Sequence, residues 1–264
     1  MSEVDDEKRL PFTEHLRELR DRLIWSVGAI LVGFLAAWAF HEELFYWLME
    51  PYIAGAGELY PEFTEAIAFR SPIEPIVVYL KTSLLVAVIC TLPFILWQTW
   101  LFVAPGLYKH ERRMAVPFLG SSILCFVGGA LFCRYLVLEP ALTVLLGMGG
   151  SYASPNIMMQ EYFGFTSRML LVFGLLFELP VAISFLSLIG LVTHRGLIRN
   201  WRYAILIAFV VGAMLTPPDP LTQMALAVPL AVLYLLSIII AYFITTSRER
   251  GGADKTPDIE EGAE

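Results

Sequence analysis

The sequence predicts an all-α polytopic membrane protein with six transmembrane helices, both termini cytoplasmic, and a short fifth and sixth helix. Three observations carry this. Apolar stretches occur at about 24–40, 73–102, 116–137, 163–189, 203–215 and 221–243. The composition is 57% hydrophobic, above the roughly 45–50% apolar usage of soluble domains. Basic residues also alternate between the connecting segments. They gather in the N-terminal tail (Lys8, Arg9, Arg17, Arg20, Arg22), the second loop (Lys109, Arg112, Arg113), the fourth loop (Arg195, Arg199, Arg202) and the C-terminal tail (Arg248, Arg250, Lys255). The first loop holds only Arg70, and the third and fifth hold none. Positive residues mark the cytoplasmic side, which puts residues 41–72 and 138–162 outside.

The elements follow in order. Residues 1–10 read as a disordered tail, 11–246 as one membrane domain, and 247–264 as a disordered acidic tail. From Thr13 to Leu23, Leu16, Leu19 and Leu23 recur at helical spacing. This predicts a short amphipathic helix along the inner membrane surface. The first apolar run follows. Its Ala37-Trp38-Ala39 resembles a cleavage site, but the leader is long and acid-rich, so the run reads as a retained helix. The loop at 41–72 is long enough for short helices, punctuated by Pro51, Gly55, Gly57, Pro61 and Pro72. The second stretch would extend ~45 Å as a helix against a hydrocarbon core of ~30 Å. It must therefore tilt, bend at Pro93 or project from the bilayer. Tyr203–Leu215 has the opposite problem, at ~20 Å. Thr216-Pro217-Pro218-Asp219-Pro220 then turns into the sixth stretch, so the last two spans read as a short hairpin.

Composition and motifs exclude several classes. Cys90, Cys125 and Cys133 all fall within apolar stretches and read as small buried hydrophobes rather than disulfides or metal ligands. His15, His41, His110 and His194 lie outside the stretches. His41-Glu42-Glu43 has Phe45 where a zinc-protease helix needs a second His. No nucleophile elbow, Cys/His arrangement or phosphate loop is present, so the chain reads as a non-enzyme without a cofactor. The net charge of −7 is set locally, and no basic face suggests nucleic acid.

Two sets of carboxylates stand out. Glu178 lies inside the fourth stretch, in Phe173–Pro180, where a charge costs ~2.5–3.5 kcal/mol on insertion scales. Either it is a neutral group hydrogen-bonded within the bundle, or it serves a functional polar site. Pro180 cannot donate to the carbonyl of Leu176, which predicts a kink. Arg168 lies ~15 Å away along the helix, and Lys81 sits in the second stretch; both bases can snorkel outward. Glu18 and Glu111 form the other set, each crowded by basic neighbours. Glu18 can pair with Arg22 at i,i+4, worth only ~0.2–0.5 kcal/mol. Glu111 can simply balance local charge. An ion-coupled transporter, with Glu178, Lys81 and Arg168 as a relay, is the alternative class. Its usual internal repeats and paired broken helices are not evident.

Five ordered motifs resemble the TatC family, the multispan receptor of the twin-arginine protein export system. They are His15–Leu23 (HLRELRDRL), Ser71–Lys81 (SPIEPIVVYLK), Pro93–Arg113 (PFILWQTWLFVAPGLYKHERR), Phe173–Pro180 (FGLLFELP) and Thr216–Gln223 (TPPDPLTQ). The likeness runs from about His15 to Phe243. One departure is Ile76, where many members have Phe after Glu-Pro. The resemblance implies a receptor in the bacterial inner membrane that binds twin-arginine signal peptides of folded cargo. It implies TatA-like and TatB-like single-span partners, self-association in a receptor complex, and energy from the proton gradient. It matches Glu18 and Glu111 to the family's signal-binding acids, with Arg20, Arg22, Phe102 and Lys109 in the same motifs. It matches Pro51 to a sensitive proline of the first outer loop, and Glu178 to the intramembrane acid. Asp219 and Gln223 match the polar pair after the fifth span. With Met214 and Leu215, they form the edge that a partner helix is expected to meet.

Overall fold

A computed structural model of the chain describes residues 12–60, 67–103, 115–149, 156–215 and 220–253. Among these residues it is built of helices, with an isolated parallel bridge between Ala68 and Met158. In chain order the helices are α1 (Phe12–Trp38), α2 (His41–Leu59), α3 (Glu74–Val103), α4 (Ala115–Phe132), a π-helical turn (Cys133–Val137), α5 (Leu138–Gly147), α6 (Met159–Phe177), α7 (Leu179–Leu188), α8 (His194–Arg199), α9 (Trp201–Leu215) and α10 (Pro220–Ala253). Five segments are long and apolar enough to cross a membrane: Glu14–Trp38, Glu74–Phe102, Phe118–Gly147, Met159–Leu188 and Leu226–Thr246. The shorter apolar helix Trp201–Met214 brings the number to the expected six. Its parent α9 has 15 residues, ~22 Å of rise, so the fifth span is short as expected.

Three elements differ from the sequence reading. The amphipathic segment at Thr13–Leu23 is not a separate surface helix, because α1 runs unbroken from Phe12 to Trp38. No glycine or proline interrupts the junction, so the hydrogen-bond ladder propagates. The third span does not end near Val137. It continues through the π turn and α5 to Gly147, because its one arginine, Arg134, is buried rather than left at a lipid boundary. The sixth helix is longer than expected: α10 has 34 residues and carries the chain past its apolar part to Ala253. Residues 247–253 therefore belong to a helix rather than to a disordered tail, while 1–10 and 254–264 lie outside the described residues.

The chain divides into two compact units, Met1–Phe45 with Tyr79–Leu119, and Tyr46–Val78 with Gly120–Glu264. In the first unit α1 packs closely on α3: a Cβ on Gly33 would stand 2.9 Å from the Thr91 methyl group. Leu16, Leu19, Leu23, Leu31 and Leu35 stay exposed on the protein surface, which suits a helix whose outer face meets lipid. In the second unit Leu48, Tyr52, Leu138, Tyr162, Met169, Leu170 and Phe173 are nearly or wholly inaccessible. Here α4 and α6 cross at glycines. A Cβ on Gly129 would meet the Phe173 carbonyl at 2.7 Å, and one on Gly174 would meet the Phe126 ring at 2.9 Å. Ser122, Phe126 and Gly129 recur at i, i+4, i+7, so one face of α4 carries both the close contact and the hydroxyl used below. Ala208, Leu230 and Leu233 pack with Leu176 and Phe177, seating α9 and α10 against the α6 end.

Candidate functional site

In the first unit, His15, Glu18, Arg22 and Ser26 lie at i, i+3, i+7, i+11 and form one polar stripe of α1. They meet Gln98 and Phe102, which are i, i+4 on α3. The Arg22 guanidinium donates to Gln98 Oε1 at 3.1 Å and to Glu18 Oε1 at 3.4 Å. His15 and Phe102 stack with ring centroids 4.3 Å apart. Ser26 Oγ donates to the Arg22 carbonyl, and Gln98 is buried. The i,i+4 pairing expected of Glu18 is therefore present. It is long, however, and the Glu18 side chain remains 23% exposed, so most of its acceptor capacity is open. Arg20 is on a different side of the helix, 74% exposed and paired with Asp21 at 3.4 Å. The structure thus brings Glu18, Arg22 and Phe102 into one constellation and leaves Arg20 out of it. Lys109 and Glu111 lie outside the described residues.

The second unit holds an acid at membrane depth. As expected from Pro180, the helix is interrupted: α6 ends at Phe177, Glu178 forms the turn, and α7 starts at Leu179. Ser122 Oγ of α4 donates to Glu178 Oε2 at 2.5 Å. Glu178 Oε1 is buried, and no donor among the described residues reaches it. The glycine contacts at 129 and 174 make this approach of α4 to α6 possible. Arg168 does not pair with Glu178: its Nε turns back to its own helix and donates to the Gly164 carbonyl.

Pro51 is buried within α2. A proline inside a helix leaves the carbonyl four residues earlier without its amide partner, here that of Trp47. Arg134 fills the gap. Its Nε and Nη2 donate to the Trp47 carbonyl at 3.1 and 2.6 Å, and Nη2 also reaches Glu50 Oε2 at 2.5 Å. The guanidinium lies over the rings of Trp47 and Tyr135, at 4.9 and 5.1 Å from their centroids. Sequence reasoning missed Arg134. The available signal was a lone arginine inside an apolar stretch, together with a helical proline whose freed carbonyl needs a donor.

Glu74 was also missed as a tie. Its carboxylate accepts from the backbone N–H of Arg70 at 2.7 Å and of Gln160 at 2.9 Å, while Arg70 pairs with Glu161. Met159 N donates to the Ala68 carbonyl. The end of the 41–72 loop is thereby fastened to the start of α6.

At the hairpin, Gln223 Nε2 donates to the Phe209 carbonyl at 3.0 Å. A Cβ on Gly212 would lie 3.5 Å from Gln223 Cγ. Gln223 therefore holds α9 and α10 together, whereas Met214 is 78% exposed. Leu215 closes α9, and Asp219 lies outside the described residues. Among the described residues no cluster of His, Cys, Asp or Glu could hold a metal ion.

A family model described as Sec-independent protein translocase protein (TatC) matches residues 14–229. The chain is 42% identical over 259 residues to the Sec-independent protein translocase protein TatC of Desulforapulum autotrophicum, covering 98% of this chain and 92% of that one. It is 41% identical over 242 residues to the protein of the same name from Aquifex aeolicus, covering 91% and 98%. A crystal structure described as the twin arginine translocase receptor TatC superposes with a TM-score of 0.75 at 40% identity, over 88% of this chain and 100% of that one. The matched family is a membrane translocase component and not a catalytic one. With six apolar helices, an interrupted acid-bearing fourth span and near-full-length likeness, the chain belongs to the TatC family of Sec-independent protein translocase proteins.

Proposed function

We propose that this chain is the receptor and core subunit of a twin-arginine translocase, binding the signal peptides of folded proteins. The observation that carries the reading is Glu18, a partly exposed carboxylate on a face shared by α1 and α3 whose one bond among the described residues is long. An arginine fork binds a carboxylate bidentately, with charge assistance. Glu18 and Glu111 receive the two arginines. Arg22 and Phe102 shape the face around Glu18, and Arg20 and Lys109 are further residues of the same two motifs. The basic neighbours limit long-range steering, so recognition rests on short-range geometry.

Partner recruitment falls to the hairpin and to Glu178. A thin fifth span and an exposed Met214 favour a single-span helix of the TatA-like or TatB-like kind at the edge formed with Leu215, Asp219 and Gln223. The open oxygen of Glu178 favours a polar group on an incoming helix. Pro51, through its tie to Arg134, keeps the 41–72 loop in shape. The receptor self-associates, draws on the proton gradient, and sits in the bacterial inner membrane with both termini cytoplasmic.

The test is the affinity of a labelled twin-arginine signal peptide for purified Glu18→Ala and Glu111→Ala proteins. Loss of one charged hydrogen bond, ~1.5–3 kcal/mol, weakens binding roughly tenfold to a hundredfold. Unchanged affinity in both variants rejects the site. Sidedness is checked by labelling a single cysteine at position 60 in a Cys-free background. Modification only from the inside overturns the topology.

A further inference from the structure

The loop between α7 and α9 carries a basic stripe that the receptor reading does not use. Arg195 and Arg199 stand at i, i+4 on α8, Arg202 lies in the first turn of α9 just past the break at Asn200, and all three are exposed. Among the described residues no carboxylate forms an ion pair with any of them. The sequence has no Asp or Glu between Glu178 and Asp219, so no acid of this segment itself can do so. Like charges one helical turn apart repel, and an anion lodged along the stripe relieves that cost.

The surroundings say what kind of anion. Leu191, Ile198, Trp201 and Tyr203 are 73%, 53%, 49% and 65% exposed, interleaved with the arginines. Apolar and aromatic side chains beside cations are the composition of a membrane–water interface. The loop joins two apolar helices that enter the membrane, so it must lie at that level. It is also pinned rather than loose. His194 Nδ1 lies 2.9 Å from Thr245 Oγ1, the Tyr234 hydroxyl donates to the Leu197 carbonyl at 2.9 Å, and Thr193 caps α8 through the Gly196 N–H. His194 and Leu197 are thus the anchors to α10, and the arginines stay exposed.

We propose that Arg195, Arg199 and Arg202 form a binding site for the headgroup phosphate of an anionic phospholipid, with Trp201 and Tyr203 seated at the headgroup boundary. Guanidinium forks match phosphate oxygens bidentately. The proposal needs only a membrane-embedded chain and stands whether or not the signal-receptor reading holds.

The experiment is native mass spectrometry of the purified full chain with added phosphatidylglycerol or phosphatidylcholine of identical acyl chains. The wild-type protein should retain the anionic lipid preferentially. Arg195→Gln, Arg199→Gln and Arg202→Gln together should lower that preference about a hundredfold, at about fivefold per arginine. The corresponding triple Arg→Lys variant, which keeps the charge but loses the fork, should show a preference between those of the wild type and the Gln variant. Should the Gln variant fail to fold, salt decides on the wild type: raising it from about 0.1 M to about 0.5 M should erode the preference, since exposed charges are screened, and a salt-independent preference rejects the site. Equal retention of both lipids, or full selectivity in the folded Gln variant, overturns the proposal. So does selectivity that emerges only after truncation at Ala253, which would mean that the chain's own acidic residues 254–264 occupy the stripe.

Discussion

Removing the buried arginine of α4's π turn should destabilise the protein, and by an amount that depends on a residue elsewhere in the sequence. Arg134 is 4% exposed and donates twice to the Trp47 carbonyl. Arg134→Met keeps the bulk of the side chain but leaves that carbonyl without a donor, since Pro51 has no N–H to offer. An unsatisfied buried acceptor costs ~1–3 kcal/mol. Loss of the contact with the Trp47 and Tyr135 rings adds ~0.5–2 kcal/mol. Glu50 is 62% exposed, so its ion pair adds little. The expected loss is therefore roughly 2–4 kcal/mol.

The carbonyl share can be isolated. Pro51→Ala restores an amide N–H four residues after Trp47, giving the carbonyl a helical partner. In that background Arg134→Met should cost about 1–3 kcal/mol less than in the wild type. Equilibrium unfolding in mixed micelles, run as a double-mutant cycle on the four proteins, reads the coupling. A coupling under about 0.5 kcal/mol, the scatter expected of independent sites, refutes the idea that Pro51 and Arg134 share one carbonyl.

Other perturbations have defined outcomes. Gly129→Ala should cost ~1–3 kcal/mol in the same assay, because its new methyl would meet the Phe173 backbone at 2.7 Å. Gly174→Ala should cost less, since Phe126 presents a ring that can turn; the reverse order would contradict the packing. Glu178→Gln should retain much of the transport if a neutral hydrogen bond suffices, whereas Glu178→Ala should lose it with signal binding intact. Equal failure of both would assign the role to the titratable proton, and normal transport by the Ala variant would remove Glu178 from the mechanism. Arg22→Leu should lower stability by ~1 kcal/mol through the unpaired amide of Gln98, and an unchanged unfolding midpoint would show that bond to be dispensable.

What the sequence made legible divides along physical lines. Hydropathy reported the spans because lipid exposure is a property of each stretch alone, and the kink at Glu178 followed from Pro180. The Glu18–Arg22 pair was legible because its spacing is local. Gln98 and Ser122 were not singled out, because each acquires its role from a partner on another helix, 76 and 56 residues distant. The third span was read as ending too early for the same reason. Arg134 looks like a boundary charge until Trp47, Glu50 and Tyr135 are seen to enclose it. The unbroken α1 was misread because an amphipathic stripe does not itself reveal where a helix bends. Leu16, Leu19 and Leu23 remain exposed in a helix that simply continues.

The saturation of acceptors separates the carboxylates into two kinds. Glu74 accepts a backbone N–H on each of its two oxygens, so it is already engaged in holding the loop. Arg134 is the cationic counterpart, with its donors committed to one carbonyl and one acid. Glu18 and Glu178 are unlike these. Among the described residues Glu18 spends a fraction of its capacity on a 3.4 Å contact, and Glu178 has one oxygen on Ser122 and one without a donor. In water an unused acceptor costs nothing, because solvent fills it. In an apolar interior it carries a penalty that only an arriving donor removes. Under the proposed function, a hydrogen bond from a membrane partner to Glu178 would gain only ~0.6 kcal/mol and up to about 2, which suits a reversible step. A charged donor arriving at Glu18 would gain more. Firm binding of cargo with transient assembly of partners would require that ordering, and the two acids differ in that direction in where they sit and what each already holds.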